Sequence, residues 1–274
     1  MLKSRLLTAL VLISVVLWSI FFAPPIVFIG LMAFFLGVGA WEWTGLVPMK
    51  CIYGRLSYVV LIEAVWAALY WDCGNACYSY LSCLNGVWLL AAVAAVLTYP
   101  RTLKFWHYRW VTIVFGFLLL VTTGYSLLWL KELPHGNAYL LTLLLLTWAA
   151  DTGAYFAGRF WGKRKFSPSV SPNKTWAGFW GGFVLSQIVI IAAGFAIEST
   201  EWTSWIVTGT FALLGAVVGD LLISMLKRSV GVKDTGKILP GHGGVLDRVD
   251  SLLISTVVMT FFLYHHKVIF GYLL

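Results

Sequence analysis

Charge is what this 274-residue sequence has least of: 11% of its residues are charged, and only 11 are acids. With 60% hydrophobic residues and so little charge to cover a surface, a single water-soluble core is excluded, and lipid must solvate much of the chain. Paired CxxC spacing is also missing. Cys51, Cys73, Cys77 and Cys83 lack the pattern of a structural zinc site and are assigned no metal. Cys73 and Cys77 fall in a loop read as external, where spacing alone decides nothing about a disulfide. No internal repeat, low-complexity tract or separate soluble domain is visible. The excess of Lys and Arg gives a formal charge of +8, which in so apolar a chain reads as positive-inside anchoring rather than nucleic-acid binding.

What is present is a series of apolar runs. About 20 such residues cross a hydrocarbon layer of roughly 30 Å, and the candidates are 6–22, 25–45, 56–71, 85–99, 109–130, 138–158, 176–197, 203–226 and 250–270. The first run follows MLKSR as in a signal peptide, but no small-residue cleavage pattern comes after it, and Pro24-Pro25 turns the chain instead. It reads as a retained span. Alternating the loops between two sides places 17 of the 19 Lys and Arg together, with Lys131 and Lys267 opposite. The expectation is an all-α polytopic integral membrane protein of about nine transmembrane helices, with the N-terminus cytoplasmic and the C-terminus external. A compact chain with a short basic start and no transit peptide points to a bacterial inner membrane.

Carboxylates within spans cost about 2.5–3.5 kcal/mol on the insertion scale, so each needs a partner or a purpose. Glu42 and Glu63 stand apart from other chemical groups and read as structural, each with a hydrogen bond or ion pair. Asp151 and Asp220 precede basic helix ends at Arg159 and Lys227 by similar counts, which sets them at matching depth. Two acids at one level below a basic rim fit either a cation site or a charge-paired floor.

Asp220, Ser224, Lys227 and Arg228 share one face of a helix. Asp247 and Asp250 stand one turn apart at the entrance of the last span, where they are either ordinary helix-start acids or a divalent-cation pair. Between these groups lies Lys233-Asp234-Thr235-Gly236-Lys237-Ile238-Leu239-Pro240-Gly241-His242-Gly243-Gly244, a flexible, cationic stretch suited to wrapping phosphates. The earlier long loop, from about Gly158 to Thr175, contains Ser171-Pro172-Asn173-Lys174-Thr175, either a helix cap or an anion seat on the same side. His107, His135, His265 and His266 read as interfacial anchors.

The polar positions from Ser224 through Lys227-Arg228, Lys233-Asp234, Leu239-Pro240, His242-Gly243-Gly244 and Asp247-Arg248-Val249-Asp250 resemble the signature of phosphatidate cytidylyltransferases, or CDP-diacylglycerol synthases. Ser171 to Thr175 resembles that family's second polar loop. The resemblance covers roughly the last 130 residues. It implies transfer of a cytidylyl group from CTP to phosphatidic acid, with Mg²⁺ required, K⁺ as a second cation near Asp220 and Asp247, and a homodimer. On this basis residues 1–135 are expected to serve as scaffold and dimerisation helices and 136–274 as the catalytic region facing the cytoplasm. Asp220, Asp247 and Asp250 are expected at the cations; Lys227, Arg228, Lys233 and Arg248 at phosphates. Ser171, Asn173, Lys174, Thr175, Ser224, Asp234, His242, Gly243 and Gly244 complete the expected substrate-binding set, and Asp151 stays open between metal, base-recognition and structural roles. Competing readings are a CTP-using enzyme for another lipid phosphate or polyprenol, a transporter, and a membrane scaffold. A transporter predicts paired broken helices in two halves, and no such symmetry is seen.

Overall fold

The computed structural model describes residues 2–270 other than Pro48, Lys50, Cys73, His107, Pro240 and His242, and their side chains except at 2–7, 72, 74–77, 268 and 270. The expectations for His242 and for a Cys73–Cys77 bond fall outside the described residues. The chain runs α1 (Leu2–Phe21), α2 (Pro25–Trp43), α3 (Ile52–Asp72), α4 (Gly74–Thr98), α5 (Leu103–Trp106), α6 (Arg109–Glu132), α7 (Gly136–Trp161), β1 (Lys165–Ser167), β2 (Ser171–Thr175), α8 (Trp176–Ala196), α9 (Trp202–Ser229) and α10 (Leu246–Phe270). Among the described residues seven helices, α2, α3, α4, α6, α7, α8 and α9, are long and apolar enough to cross a membrane. α1 carries a shorter apolar segment, Thr8–Phe21, and α10 opens on a charged turn holding Asp247, Arg248 and Asp250.

The helices follow local signals. Pro25 starts α2 at a position where a missing amide costs nothing. α4 begins eleven residues before the expected 85, and ahead of that position Tyr78 and the polar Ser82 are buried. Asn85 is buried as well, and the Tyr78 ring stacks on Trp129 with centroids 4.5 Å apart. Hydropathy alone does not register such a face.

α6 forms the middle of the bundle. Thr123 Oγ1 donates to the Leu253 carbonyl of α10 (2.9 Å), and the Trp43 indole of α2 donates to the Thr112 carbonyl (2.9 Å). Large side chains elsewhere, such as Leu97 and Trp110, point outward as lipid-facing residues do.

α7 and α8 pack backbone to backbone. A Cβ on Gly153 would lie 2.4 Å from the Gly181 carbonyl oxygen, and one on Gly181 would lie 2.3 Å from Ala157 Cβ. Small residues permit this approach, and dispersion rather than the hydrophobic effect holds such pairs together in lipid.

The long connection after α7, expected as a loop, contains an antiparallel hairpin with Lys165 opposite Thr175 and Ser167 opposite Ser171. Phe166 anchors it by stacking on Phe179 of α8, centroids 5.2 Å apart. The hairpin is the one sheet among the described residues.

Overpacking a close contact costs roughly 1–3 kcal/mol. Gly153→Leu is therefore expected to lower the unfolding midpoint in detergent by several degrees, whereas Gly30→Ala, whose new Cβ meets nothing within 4 Å, should leave it in place. Equal midpoints for the two variants would show that α7 and α8 do not pack this closely.

Candidate active site

Three elements converge where α9 ends and α10 begins. On α9, Ser224 Oγ donates to Asp220 Oδ1 (3.3 Å), one turn apart as the shared face predicts. Lys174, from the hairpin, forms an ion pair with the other oxygen of Asp220. Two turns further along α9, Lys227 Nζ donates to Oδ1 of Asp247 on α10 (2.7 Å), and this pair is well enclosed, with side-chain exposures of 12% and 4%.

Asp247 does more than pair with a lysine. Its second oxygen accepts from the Thr235 amide (2.8 Å), the Thr235 hydroxyl (3.0 Å) and the Gly244 amide (3.0 Å). A carboxylate offers about four acceptor positions, so protein donors occupy this one. Burial works against its charge, but Lys227 and the Gly244 and Thr235 amides outweigh that and hold the carboxyl below the ordinary range.

Glu42, at the end of α2, supplies the complementary contact. Its oxygens accept from the Val245 amide (2.9 Å), the Leu246 amide (2.8 Å) and the Thr235 hydroxyl (3.2 Å). The structural role expected of Glu42 is met, through the free amides that open α10. Gly236 and Gly244 make room for it: a Cβ would lie 2.4 Å from Glu42 at the first and 2.5 Å at the second. The loop closes on itself where the Leu239 amide donates to the Gly243 carbonyl (2.9 Å), with Gly243 at φ +83°.

Glu63 differs. Among the described residues it has no hydrogen-bond or ion-pair partner, contrary to the pairing expected; Ala33, Phe34, Gly37, Val38 and Trp41 of α2 line the space beside it.

The Asp247 and Asp250 carboxylates, expected to act as a pair, have different partners. Asp250 accepts the Ser251 amide (2.8 Å) and interacts through space with Asp220 and Asp151. Its backbone lies against α9, since a Cβ on Gly219 would fall 2.4 Å from the Asp250 carbonyl oxygen. Asp151 in turn senses Asp220, Lys174 and Arg248, so the matched depth of Asp151 and Asp220 brings them to one place.

That place is a cavity of about 530 Å³ between α7, α8, α9 and the hairpin. Asp151, Asp220, Asn173, Lys174 and Arg159 line it together with the apolar Phe179, Phe183, Leu213 and Val217. Thr175 lines the same cavity and also caps α8, accepting the Gly178 amide (3.1 Å). Other expected residues lie elsewhere. Ser171 pairs with Ser167 in the hairpin. Arg228, Lys233 and Asp234 are exposed, and Arg248 stands within electrostatic reach of Asp151. Arg159 and Tyr155, which line the cavity, were not singled out from the sequence as site residues; the signal available was Arg159's place two turns beyond Asp151 on the same helix.

Among the described residues no three His, Cys, Asp or Glu side chains converge as a metal cage. Mg²⁺ does not need one, because it commonly takes one or two carboxylates and completes its shell with water and phosphate oxygens. Asp220 and Asp250 fit that use: each has an oxygen with at most one weak protein donor.

A family model described as the cytidylyltransferase family matches residues 3–266. The phosphatidate cytidylyltransferase of Pseudomonas aeruginosa is 38% identical over 265 residues, covering 94% of this chain and 95% of that protein. The phosphatidate cytidylyltransferase of Haemophilus influenzae is 36% identical over 283 residues, covering 96% and 98%. A third, from Staphylococcus haemolyticus, is 48% identical over 120 residues, 43% of this chain and 46% of that protein.

The lowered Asp247 carboxyl has a pH consequence. A group depressed on folding contributes stability above its unfolded value, near pH 4, and that contribution is lost as pH falls through the folded value. The unfolding midpoint in detergent is expected to hold from pH 7 to about 5 and to fall below about 4. Asp247→Asn should have a lower midpoint at pH 7 and a shallower acid decline; an unchanged acid profile would refute the assignment.

Proposed function

The chain belongs to the cytidylyltransferase family, and we propose that the cavity between α7, α8 and α9 is where it transfers the cytidylyl group of CTP to phosphatidate. The activity is that of a CTP:phosphatidate cytidylyltransferase of phospholipid biosynthesis, yielding CDP-diacylglycerol and pyrophosphate. One observation carries the placement: a single cavity is lined both by carboxylates and cations and by aromatic and aliphatic side chains. A lipid phosphate needs both, the first for its headgroup and the second for its chains.

In the reaction a phosphatidate oxygen bonds to the α-phosphorus of CTP, and the bond from that phosphorus to the bridging oxygen of pyrophosphate breaks. Both reactants are anions, so the protein's task is to neutralise charge and fix alignment. Lys174 and Asn173 hold the lipid phosphate at the cavity. Arg228 and Lys233, exposed beside the loop, grip the triphosphate together with Arg248. Asp220 and Asp250 would hold Mg²⁺, with Asp151 beside them, and the chemistry supplied there would be the offsetting of phosphate charge. Asp247, expected among the cation ligands, acts instead as a positioning residue through Lys227, Thr235 and Gly244.

The same reading counts α1 and α10 with the seven apolar helices as nine spans and sets the site at the cytoplasmic face of an inner membrane. The grouping of 17 Lys and Arg on one side supports it.

Purified protein given phosphatidate, Mg²⁺ and CTP labelled at either the α or the γ phosphorus tests the reaction. The α label should enter the lipid and the γ label should leave as pyrophosphate. Entry of the γ label would mean a kinase, and entry of neither would end the reading. Asp220→Asn should lower the α transfer by at least about a hundredfold, the scale of one lost charge-stabilising group, without changing the unfolding midpoint by more than a few degrees.

A further inference from the structure

We infer that Arg159, with Tyr155, is the specificity-determining contact for the phosphomonoester of the lipid substrate. The inference rests on the reading of the cavity as the lipid site and adds to it a residue that reading did not use.

Two cations line the cavity, Arg159 and Lys174. Lys174, which reaches the phosphate from the hairpin, also neutralises Asp220 and so brings no net charge. Arg159 Nη1 instead donates to the neutral Tyr155 hydroxyl (2.9 Å), one turn back on α7, and no acid pairs with it among the described residues. An incoming anion therefore meets one cavity cation whose charge is not already neutralised. This matters because Asp151 and Asp220 also face the space and would repel a dianion.

A cation in the last turn of a helix is ordinarily explained by the helix dipole. That explanation does not account for the guanidinium turning back along α7 to a phenol that itself lines the cavity. The Tyr155 bond occupies one nitrogen and fixes the plane of the fork, leaving further N–H donors for two oxygens of one phosphate, a geometry that lysine cannot supply.

The surroundings set the class of ligand. Tyr155, Phe156, Phe160 and Trp161 are 58%, 53%, 68% and 71% exposed. Aromatic side chains clustered at the end of an apolar helix mark the headgroup level of a bilayer. Arg159 thus sits where a lipid phosphate lies, with the apolar walls of Phe179 and Phe183 available to the chains. A terminal phosphate presents more oxygens and more charge than the diester of an ordinary phospholipid, and a bidentate donor favours the former.

The test compares Arg159→Gln, Arg159→Lys and Tyr155→Phe with the parent protein. Arg159→Gln should raise KM for phosphatidate about ten- to a hundredfold, the usual range for lost charge-assisted hydrogen bonds, while KM for CTP holds. Arg159→Lys should recover part of the loss, and Tyr155→Phe should show a smaller rise of the same kind. Direct binding of a short-chain phosphatidate, measured without CTP or Mg²⁺, separates this contact from turnover: weaker binding by Arg159→Gln supports it whether or not the transfer reaction is observed. Equal binding by parent and variant, or a KM change confined to CTP, overturns it.

Discussion

The polar end of this bundle depends on the buried carboxylate of Glu42. It takes the Val245 and Leu246 amides that would otherwise open α10 without partners, and it does so from α2, some 200 positions earlier in the chain. A buried charge is tolerable only where donors replace water, and the positive end of a helix provides them. Each buried donor left unpaired costs about 1–3 kcal/mol. The same carboxylate touches Thr235, whose single hydroxyl proton is shared with Asp247. Glu42 and Asp247 therefore fasten the loop at adjoining points, and Gly236 and Gly244 are small because Glu42 fills the space a side chain would need.

This fastening divides the carboxylates into two groups. Glu42 and Asp247 are consumed by protein donors. Asp151, Asp220 and Asp250 remain near one another on three different helices, with Lys174 held over Asp220. Like charges kept this close are costly alone and favourable once a cation and a polyanion arrive. The hairpin carries Lys174 and Asn173 to the cavity, and its attachment to α8 through Phe166 and the Thr175 cap makes that delivery rigid. Close packing of α7 on α8 sets Asp151 and Arg159 relative to that hairpin. The family's reaction joins two anions, and a rigid arrangement of charge answers that difficulty.

Much of this was legible in the sequence because lipid imposes a simple pattern. Apolar runs marked the helices, and the equal spacing of Asp151 and Asp220 from basic helix ends predicted their common depth. The shared face of Asp220 and Ser224 was also readable from helical periodicity. The early start of α4 was hidden because Ser82 and Asn85 face protein rather than lipid. The different fates of Asp247 and Asp250 could not be read, since one helical turn separates them and the partners that distinguish them include the distant Lys227, Thr235 and Asp220. The hairpin was obscured by its short strands, and Arg159 by its equivalence, in a charge count, to every other cation on that side.

Hydrogen exchange of residues 233–246 in detergent addresses the division of carboxylates most directly. Glu42→Ala should speed exchange across this loop and the first turn of α10 by at least about tenfold, the effect of losing roughly 1.4 kcal/mol, whereas Asp220→Asn should leave it at the parent rate. Loss of protection in Asp220→Asn with none in Glu42→Ala would contradict the account, because the acid assigned to chemistry would then be the one holding the loop.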